Sequence, residues 1–183
     1  MKIIKIFALV IGFSILVIFI ILQFNFYPVA LTSKWIITSR QFSKIIESSL
    51  VYYQKIFSVY TTSTPITDTK FQQEIKRATL DKLIEDKIID EVLLKKLGSE
   101  ELKKMVDQKL ANLSVNDKIA DASQTLYNLS LKDFKNLVLL PEAKREILTE
   151  QGIDLQEIKK SYQPIILIPG LYWQNEVLIQ EEN

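Results

Sequence analysis

The chain has 183 residues, 23 basic and 22 acidic side chains, a net charge of +1 and a 48% hydrophobic composition. This length suits one modest domain with appendages, and the chain lacks the excess of lysine and arginine expected of a nucleic-acid-binding protein. It contains no cysteine and no histidine. Disulfides, thiolate chemistry, most zinc sites and histidine-containing catalytic triads are therefore excluded.

The amino terminus has the clearest hydropathy signal. Seventeen uncharged residues run from Ile6 to Leu22, and as a helix they extend roughly 25 Å. Lys2 and Lys5 precede the run, which favours a cytoplasmic amino terminus. The sequence thus predicts a transmembrane anchor over residues 1–24 and a single-pass cell-membrane protein with its carboxy-terminal domain outside the cytoplasm. A cleaved signal peptide is the alternative.

Residues 25–163 are predicted to form a multi-helix domain that opens with a short extended segment. Trp35, Ile36 and Ile37 form a β-favouring run, and Thr38 or Ser39 then caps a first helix. Loop residues around Pro65 follow. The second helix begins near Asp68 or Thr69 and ends at Gly98, a typical residue just beyond a helix end; Ser99 caps a third helix.

Later helices carry recognisable start and stop signals. A weaker fourth helix covers the stretch NDKIADASQTLY. Ser130 and Asp133 occupy the two positions of a capping box, Pro141 suits the first turn of the next helix, and Gly152 ends it. Asp154 caps a final short helix.

The second helix is predicted to lie at the centre of the domain. On a helical wheel its apolar side chains form two separate rows, widened further by Leu94: Leu80, Ile84, Ile88 and Val92 in one, and Ile89, Leu93 and Leu97 in the other. A surface helix has one apolar stripe of about 100°. The intervening charges predict the helical ion pairs Arg77–Asp81, Lys87–Glu91 and Glu91–Lys95, each worth only about 0.2–0.5 kcal/mol.

The tail, residues 164–183, changes to β-favouring residues. Turn signals at Pro169-Gly170 and Gln174-Asn175 predict two short strands. We expect Val177–Ile179 or Ile165–Ile168 to pair with Trp35–Ile37 and cover that edge against aggregation.

No motif carries catalytic or cofactor chemistry. The carboxylates at Glu85-Asp86 and Asp90-Glu91 are sequence neighbours about 100° apart on a helix, so they favour a solvated face over an acid–base pair. Ser43 and Lys44 diverge in the same way, which disfavours a Ser–Lys dyad. The four glycines are not clustered into a phosphate-binding loop. No metal or cofactor is therefore expected.

Three segments resemble the amino-terminal domain of SurA-type chaperones and of related membrane-attached peptidyl-prolyl isomerases. In chain order, which is also the family's order, they are VALTSKWIITSRQF, TLDKLIEDKIIDEVLLKKLG and LYNLSLKDFKNLVLLPEAKREIL. The resemblance covers Val29 to about Gln163. The family's Asn-Gly turn is replaced by Ser33-Lys34. No parvulin isomerase domain follows, so the resemblance does not imply prolyl isomerase activity.

The resemblance implies a non-catalytic, membrane-anchored, extracytoplasmic chaperone-like protein that binds unfolded, secreted or partner polypeptides in a groove. Candidate contact residues are Trp35, Phe42, Tyr53, Phe57 and Trp173, although filling the core is the simpler role for each aromatic residue. The alternatives are a structural or assembly subunit with one dedicated partner, such as a membrane or secretion protein, and an accessory subunit of a peptidyl-prolyl isomerase.

Overall fold

The structure is a computed structural model that describes residues 26–60, 67–112 and 117–180, together with Phe7, Ile11, Phe13 and Ser14. It is 71% helical with a few short strands. The predicted secondary-structure content, mainly α-helical with a few short strands, is confirmed.

The predicted transmembrane helix over residues 1–24 is corrected. A bilayer span needs about 20 predominantly apolar residues, and no helix in the described part of the chain is both long and apolar enough to cross a membrane. The two longest helices carry charges along their length. Most of the run from Ile6 to Leu22 lies outside the described residues. The single-pass membrane location that depended on this helix is corrected with it.

Three short strands form an antiparallel sheet in the order β2-β1-β3. Strand β1 (Pro28–Leu31) pairs with β2 (Ile36–Thr38) on one side and with β3 (Ile165–Ile166) on the other. The tail therefore pairs with Ala30 and Leu31 rather than with the expected segment Trp35–Ile37. Strand β2 remains at the edge of this sheet within the described part of the chain.

Helix α1 (Ser39–Tyr60) follows β2 directly, and the Gln41 amide donates a hydrogen bond to Thr38 Oγ1 at its start. Helix α2 (Thr69–Asn112) is interrupted at Gly98, where φ is 77° and ψ is 167°. A positive φ is inexpensive for glycine because it has no Cβ. The predicted change of helix at Gly98 is therefore present as a local break.

The remaining helices are α3 (Asp117–Tyr127), α4 (Leu131–Phe134), α5 (Leu140–Glu150) and α6 (Leu155–Lys159). The Asp133 amide donates to Ser130 Oγ at 3.1 Å, as the capping box predicts, and Asp154 caps α6 through the Gln156 amide. A π-helical turn, Lys135–Leu139, joins α4 to α5. This wider turn comes just before Pro141. Proline has no amide hydrogen, so it cannot donate the hydrogen bond that a regular α-helix makes at each position.

The two apolar rows of α2 pack on different partners, as predicted for a central helix. The first row contacts the sheet and α1 in a cluster of Val29, Ala30, Ile37, Phe42, Leu80, Leu83, Ile84, Ile88 and Leu178. The second row contacts α5 and the end of α2 in a cluster of Ile89, Leu93, Leu102, Val106, Ile147 and Leu148. Leu94 differs from the prediction, because it is exposed.

The charges on α2 pair both along the helix, as in Lys82–Asp86 and Lys103–Asp107, and across the fold. Within the described residues, none of the three predicted helical ion pairs is formed; Arg77 instead pairs with Glu74, and Glu91 with Lys34. Arg145 on α5 contacts Glu85 and Asp86, and Lys144 pairs with Asp90. Glu85 and Asp86 are therefore only 18% and 13% exposed and contact the neighbouring helix, whereas the sequence favoured a solvated face for them.

The tail contains three strands rather than two. Beyond β3, strands β4 (Leu171–Gln174) and β5 (Val177–Gln180) form a hairpin. Its attachment to α2 is made by side chains: Arg77 Nη1 donates to the Leu178 carbonyl at 3.2 Å, and the Leu178 amide bonds to Asp81. The Leu178 side chain, only 1% exposed, enters the core. The buried Leu178 side chain and these polar contacts therefore hold β5 against α2.

Candidate functional site

An open groove of about 810 Å³ lies at the end of the three-stranded sheet. One wall is the β1–β2 turn, the floor is α2 near its break, and the other wall is the segment from α6 to β3. Its lining is Leu31, Thr32, Ser33, Lys34, Glu91, Val92, Lys95, Lys96, Ile158, Ser161, Tyr162, Gln163 and Ile165. We refer to it as the groove.

The β1–β2 turn is shaped by a threonine side chain. Thr32 Oγ1 accepts hydrogen bonds from the amides of Lys34 and Trp35, at 3.1 and 3.3 Å, and the Thr32 amide donates to the Trp35 carbonyl at 2.9 Å. Hydroxyl side chains stabilise turns in this way without needing an Asn-Gly pair. The turn directs Lys34 towards α2.

An ion pair links the first wall to the floor. Lys34 Nζ lies 2.5 Å from Glu91 Oε1. Lys96 Nζ donates to the Gln151 carbonyl at 3.2 Å, whereas Lys95 has no ion-pair partner among the described residues. Three lysines and one glutamate line the groove, so its rim carries an excess of positive charge.

The opposite wall is supported by the tail hairpin. Trp173 Nε1 donates to the Tyr162 carbonyl at 3.2 Å, and the indole ring lies 5.4 Å from Lys159 Nζ. Burial, followed by the neighbouring Glu91 carboxylate, raises the pKa of Tyr162 to about 12. The Tyr162 phenol is hydrogen-bonded to Glu91, which ties this wall to the floor of the groove.

An apolar row continues from the groove across the outer face of the sheet. Leu31 pairs with Ile36 on one side and with Ile165 on the other. Their neighbours Ala30, Ile37 and Ile166 pack into the core, so the alternation of strand side chains directs this row outward. Ile36 is 56% exposed and Ile165 is 58% exposed. We call Leu31, Ile36 and Ile165 the outer row.

The five predicted contact residues fall into two groups, one at a core cluster and one on α1. Phe42 is buried in the core, and Trp35 packs against the same cluster. Trp173 also packs on this cluster and supports the Tyr162 wall, while Tyr53 and Phe57 lie on α1 with their rings stacked on each other. None of the five lines the groove.

A continuous aromatic chain runs along α1. Its neighbouring ring centroids are separated by 5.0 to 6.1 Å, and its members are Phe71, Phe57, Tyr53, Tyr52, Tyr127 and Phe134. Tyr52 and Tyr127 stack with an interplanar angle of 6°. Edge and stacked contacts of this kind stabilise the rings against one another. We refer to this set as the aromatic chain.

A buried charge network lies between α2 and α6. Lys159, only 3% exposed, has its Nζ 2.9 Å from Glu85 Oε1 and 3.8 Å from Asp81 Oδ1. Burial raises the pKa of Asp81, opposed by the positive charge of Lys159. These contacts join two helices and the hairpin, which is a structural role.

Metal binding has no geometric basis in the described ranges. No group of three or more histidine, cysteine, aspartate or glutamate side chains is placed there to hold a metal ion. The charged side chains of the groove are the Lys34–Glu91 ion pair and two further lysines, Lys95 and Lys96.

Sequence reasoning missed most of the groove. Lys34, Tyr162 and Ile165 belong to three segments whose approach depends on the β1–β3 pairing and on the Lys34–Glu91 contact. The alternation of Leu31 with Ala30 and of Ile36 with Ile37 was the available signal. It indicates one buried and one outward face once the three segments are placed in a sheet.

No family model, curated protein or solved structure matches the chain. These comparisons do not link it to the SurA-type family. The prediction of a membrane protein is corrected only on the finding that no helix of the described residues is long and apolar enough to cross a membrane, and the chaperone and peptidyl-prolyl isomerase predictions have no support from these comparisons.

Proposed function

We propose that this protein binds an extended segment of a partner polypeptide in the groove, by reversible burial of apolar side chains and without covalent chemistry. The observation that carries the proposal is the outer row. Leu31 and Ile165 belong both to the groove lining and to this row, which continues to Ile36 on the open face of the sheet.

The open outer row favours a polymer over a small enclosed ligand. Small-molecule pockets bury most of the ligand surface, whereas Ile36 and Ile165 remain more than half exposed beside the groove. An extended polypeptide presents successive side chains on alternating sides, so it can place one side chain in the groove and another on the adjacent apolar surface.

The polar groups around the groove suit hydrogen bonding to a peptide backbone. Thr32, Ser33, Ser161 and Gln163 supply hydroxyl and amide groups to the lining. A few convergent polar groups around an apolar floor are typical of binding sites.

The test is fluorescence anisotropy with the full chain and a labelled nonapeptide of five aliphatic residues flanked by glutamines. Ile165→Gln removes an apolar contact at an exposed position and should weaken binding by about 1 kcal/mol, which is about fivefold. Val177→Gln is the matched control because Val177 is also β-branched, lies in a strand, is 44% exposed and is absent from the groove.

The proposal is supported if the wild-type chain binds the peptide, Ile165→Gln binds it more weakly and Val177→Gln binds it as tightly as the wild type. If the wild-type chain fails to bind any aliphatic nonapeptide, or if both variants bind as tightly as the wild type, the groove is not a polypeptide-binding site.

A further inference from the structure

The groove contains more lysine side chains than its one glutamate can neutralise. Its lining contains Lys34, Lys95 and Lys96 against the single carboxylate of Glu91. Lys34 is the lysine that pairs with Glu91, at 2.5 Å. The other two lysines are adjacent residues on the last turn of α2 before its break at Gly98. The excess charge is therefore concentrated at one end of the groove.

The two remaining lysines differ in what they contact. Lys96 Nζ donates to the Gln151 carbonyl at 3.2 Å, which directs it towards α5. Lys95 is exposed and forms no ion pair with any residue in the described ranges. Its ammonium group is thus free to meet a charge on a bound partner.

The apolar floor adjoins this charged end. Val92 lies one turn before Lys95 and Lys96 on α2 and lines the groove together with Ile158 and Ile165. A partner whose aliphatic side chain contacts this floor therefore brings the flanking residues of its own chain to the lysine rim. Complementary charges at such a rim increase specificity and the rate of association more than they increase affinity.

From this arrangement, which rests on the proposed function, we infer that the partner segment is an acidic one: an extended stretch with aliphatic residues at its centre and aspartate or glutamate beside them. Lys95 is the residue that distinguishes this segment from neutral and basic ones. Exposed ion pairs are individually weak, so the preference is modest and sensitive to salt.

The experiment compares three labelled nonapeptides with the same five aliphatic residues, flanked by glutamate, glutamine or lysine. With the wild-type full chain at low ionic strength, the acidic peptide should bind about threefold more tightly than the neutral one, and the basic peptide about threefold more weakly. Raising the salt concentration should bring the three affinities together.

Charge reversal at one position supplies the decisive variant. Lys95→Glu should invert the order, so that the basic peptide binds more tightly than the acidic one while the neutral peptide changes less than twofold. Loss of folding cannot produce such an inversion. Lys76→Glu is the matched control because Lys76 is another exposed lysine of α2 and is absent from the groove lining; the order of the three peptides should remain that of the wild type.

The outcomes separate the two proposals. Equal binding of all three peptides by the wild type, or an unchanged order in Lys95→Glu, overturns the acidic preference and leaves polypeptide binding intact. Failure of all three peptides overturns both. If dodecanoate binds instead, with an affinity that falls in Ile165→Gln, the groove accepts an acyl chain and both proposals are wrong.

Discussion

The groove and the aromatic chain both present apolar side chains near the surface, but they differ in what those side chains contact. Each ring of the aromatic chain lies within 5.0 to 6.1 Å of another ring of the same set. The groove instead leaves a volume of about 810 Å³ beside Val92, Ile158 and Ile165.

This difference shows why exposure of aromatic residues is a poor guide to a binding site. Rings that already contact one another gain less from a partner, because part of their surface is buried before the partner arrives. An aliphatic side chain beside an open volume still has its surface to bury. The groove is therefore the region where a partner gains most, and the aromatic chain is a region of internal packing.

The largest effect is expected at the buried residue that attaches the hairpin behind the groove. Leu178→Ala should lower the free energy of unfolding by about 2–5 kcal/mol, because it leaves a cavity in the core cluster around α2. Urea unfolding monitored by circular dichroism measures the change. Val177→Ala, at the exposed neighbour, should change the free energy by less than about 0.5 kcal/mol. Equal effects of the two variants would show that the hairpin is not packed through Leu178.

A smaller effect is expected in the aromatic chain. Tyr127→Leu removes the stack on Tyr52 and the contact with Phe134, so it should lower the free energy of unfolding by about 1 kcal/mol. The affinity for the aliphatic nonapeptides should remain within twofold of the wild type. A tenfold loss of affinity in a folded Tyr127→Leu protein would place the binding site on the aromatic chain instead.

The smallest effect concerns two tyrosines whose pKa values are raised for different reasons. Burial and then the nearby Tyr52 raise the pKa of Tyr127, whereas burial and then Glu91 raise that of Tyr162 to about 12. Glu91→Gln removes a negative charge that disfavours the phenolate, so it should lower the pKa of Tyr162 and leave that of Tyr127 unchanged. Ultraviolet titration of tyrosinate, with Tyr162→Phe to assign the highest step, measures both values.

The same shift sets a pH dependence of stability. Between about pH 10, where an unfolded tyrosine titrates, and about pH 12, where Tyr162 titrates in the fold, the folded state binds more protons. The free energy of unfolding therefore falls as the pH rises through this window. Tyr162→Phe should make that fall shallower, and an identical slope would contradict the assigned pKa.

Local signals in the sequence predicted the helices well. The capping residues Thr38, Ser130 and Asp154 accept the expected amide hydrogen bonds, because capping depends only on residues a few positions apart. The two apolar rows of α2 also predicted its central position, since helical periodicity determines which side chains share a face.

Long-range pairings could not be predicted in the same way. Glu91 was expected to pair along α2 but contacts Lys34, 57 positions earlier in the chain, and the tail pairs with β1 rather than with the segment Trp35–Ile37. The Lys34–Glu91 contact and the β1–β3 pairing both depend on the relative positions of segments that are distant in the sequence. Hydrophobic periodicity does not specify those positions. These long-range contacts form the groove, so local sequence patterns point to aromatic residues of the core and of the aromatic chain instead of to the groove residues.

Photo-crosslinking tests the binding of a polypeptide in the groove most directly. The acidic nonapeptide, with a photoreactive leucine analogue at its centre, is irradiated with the full chain, and the modified segments are identified by mass spectrometry. Binding in the groove predicts modification within residues 31–34, 91–96 and 158–165, reduced in Ile165→Gln and retained in Val177→Gln. Modification confined to residues 52–57, 71 and 127–134 would instead assign the site to the aromatic chain and contradict the proposal.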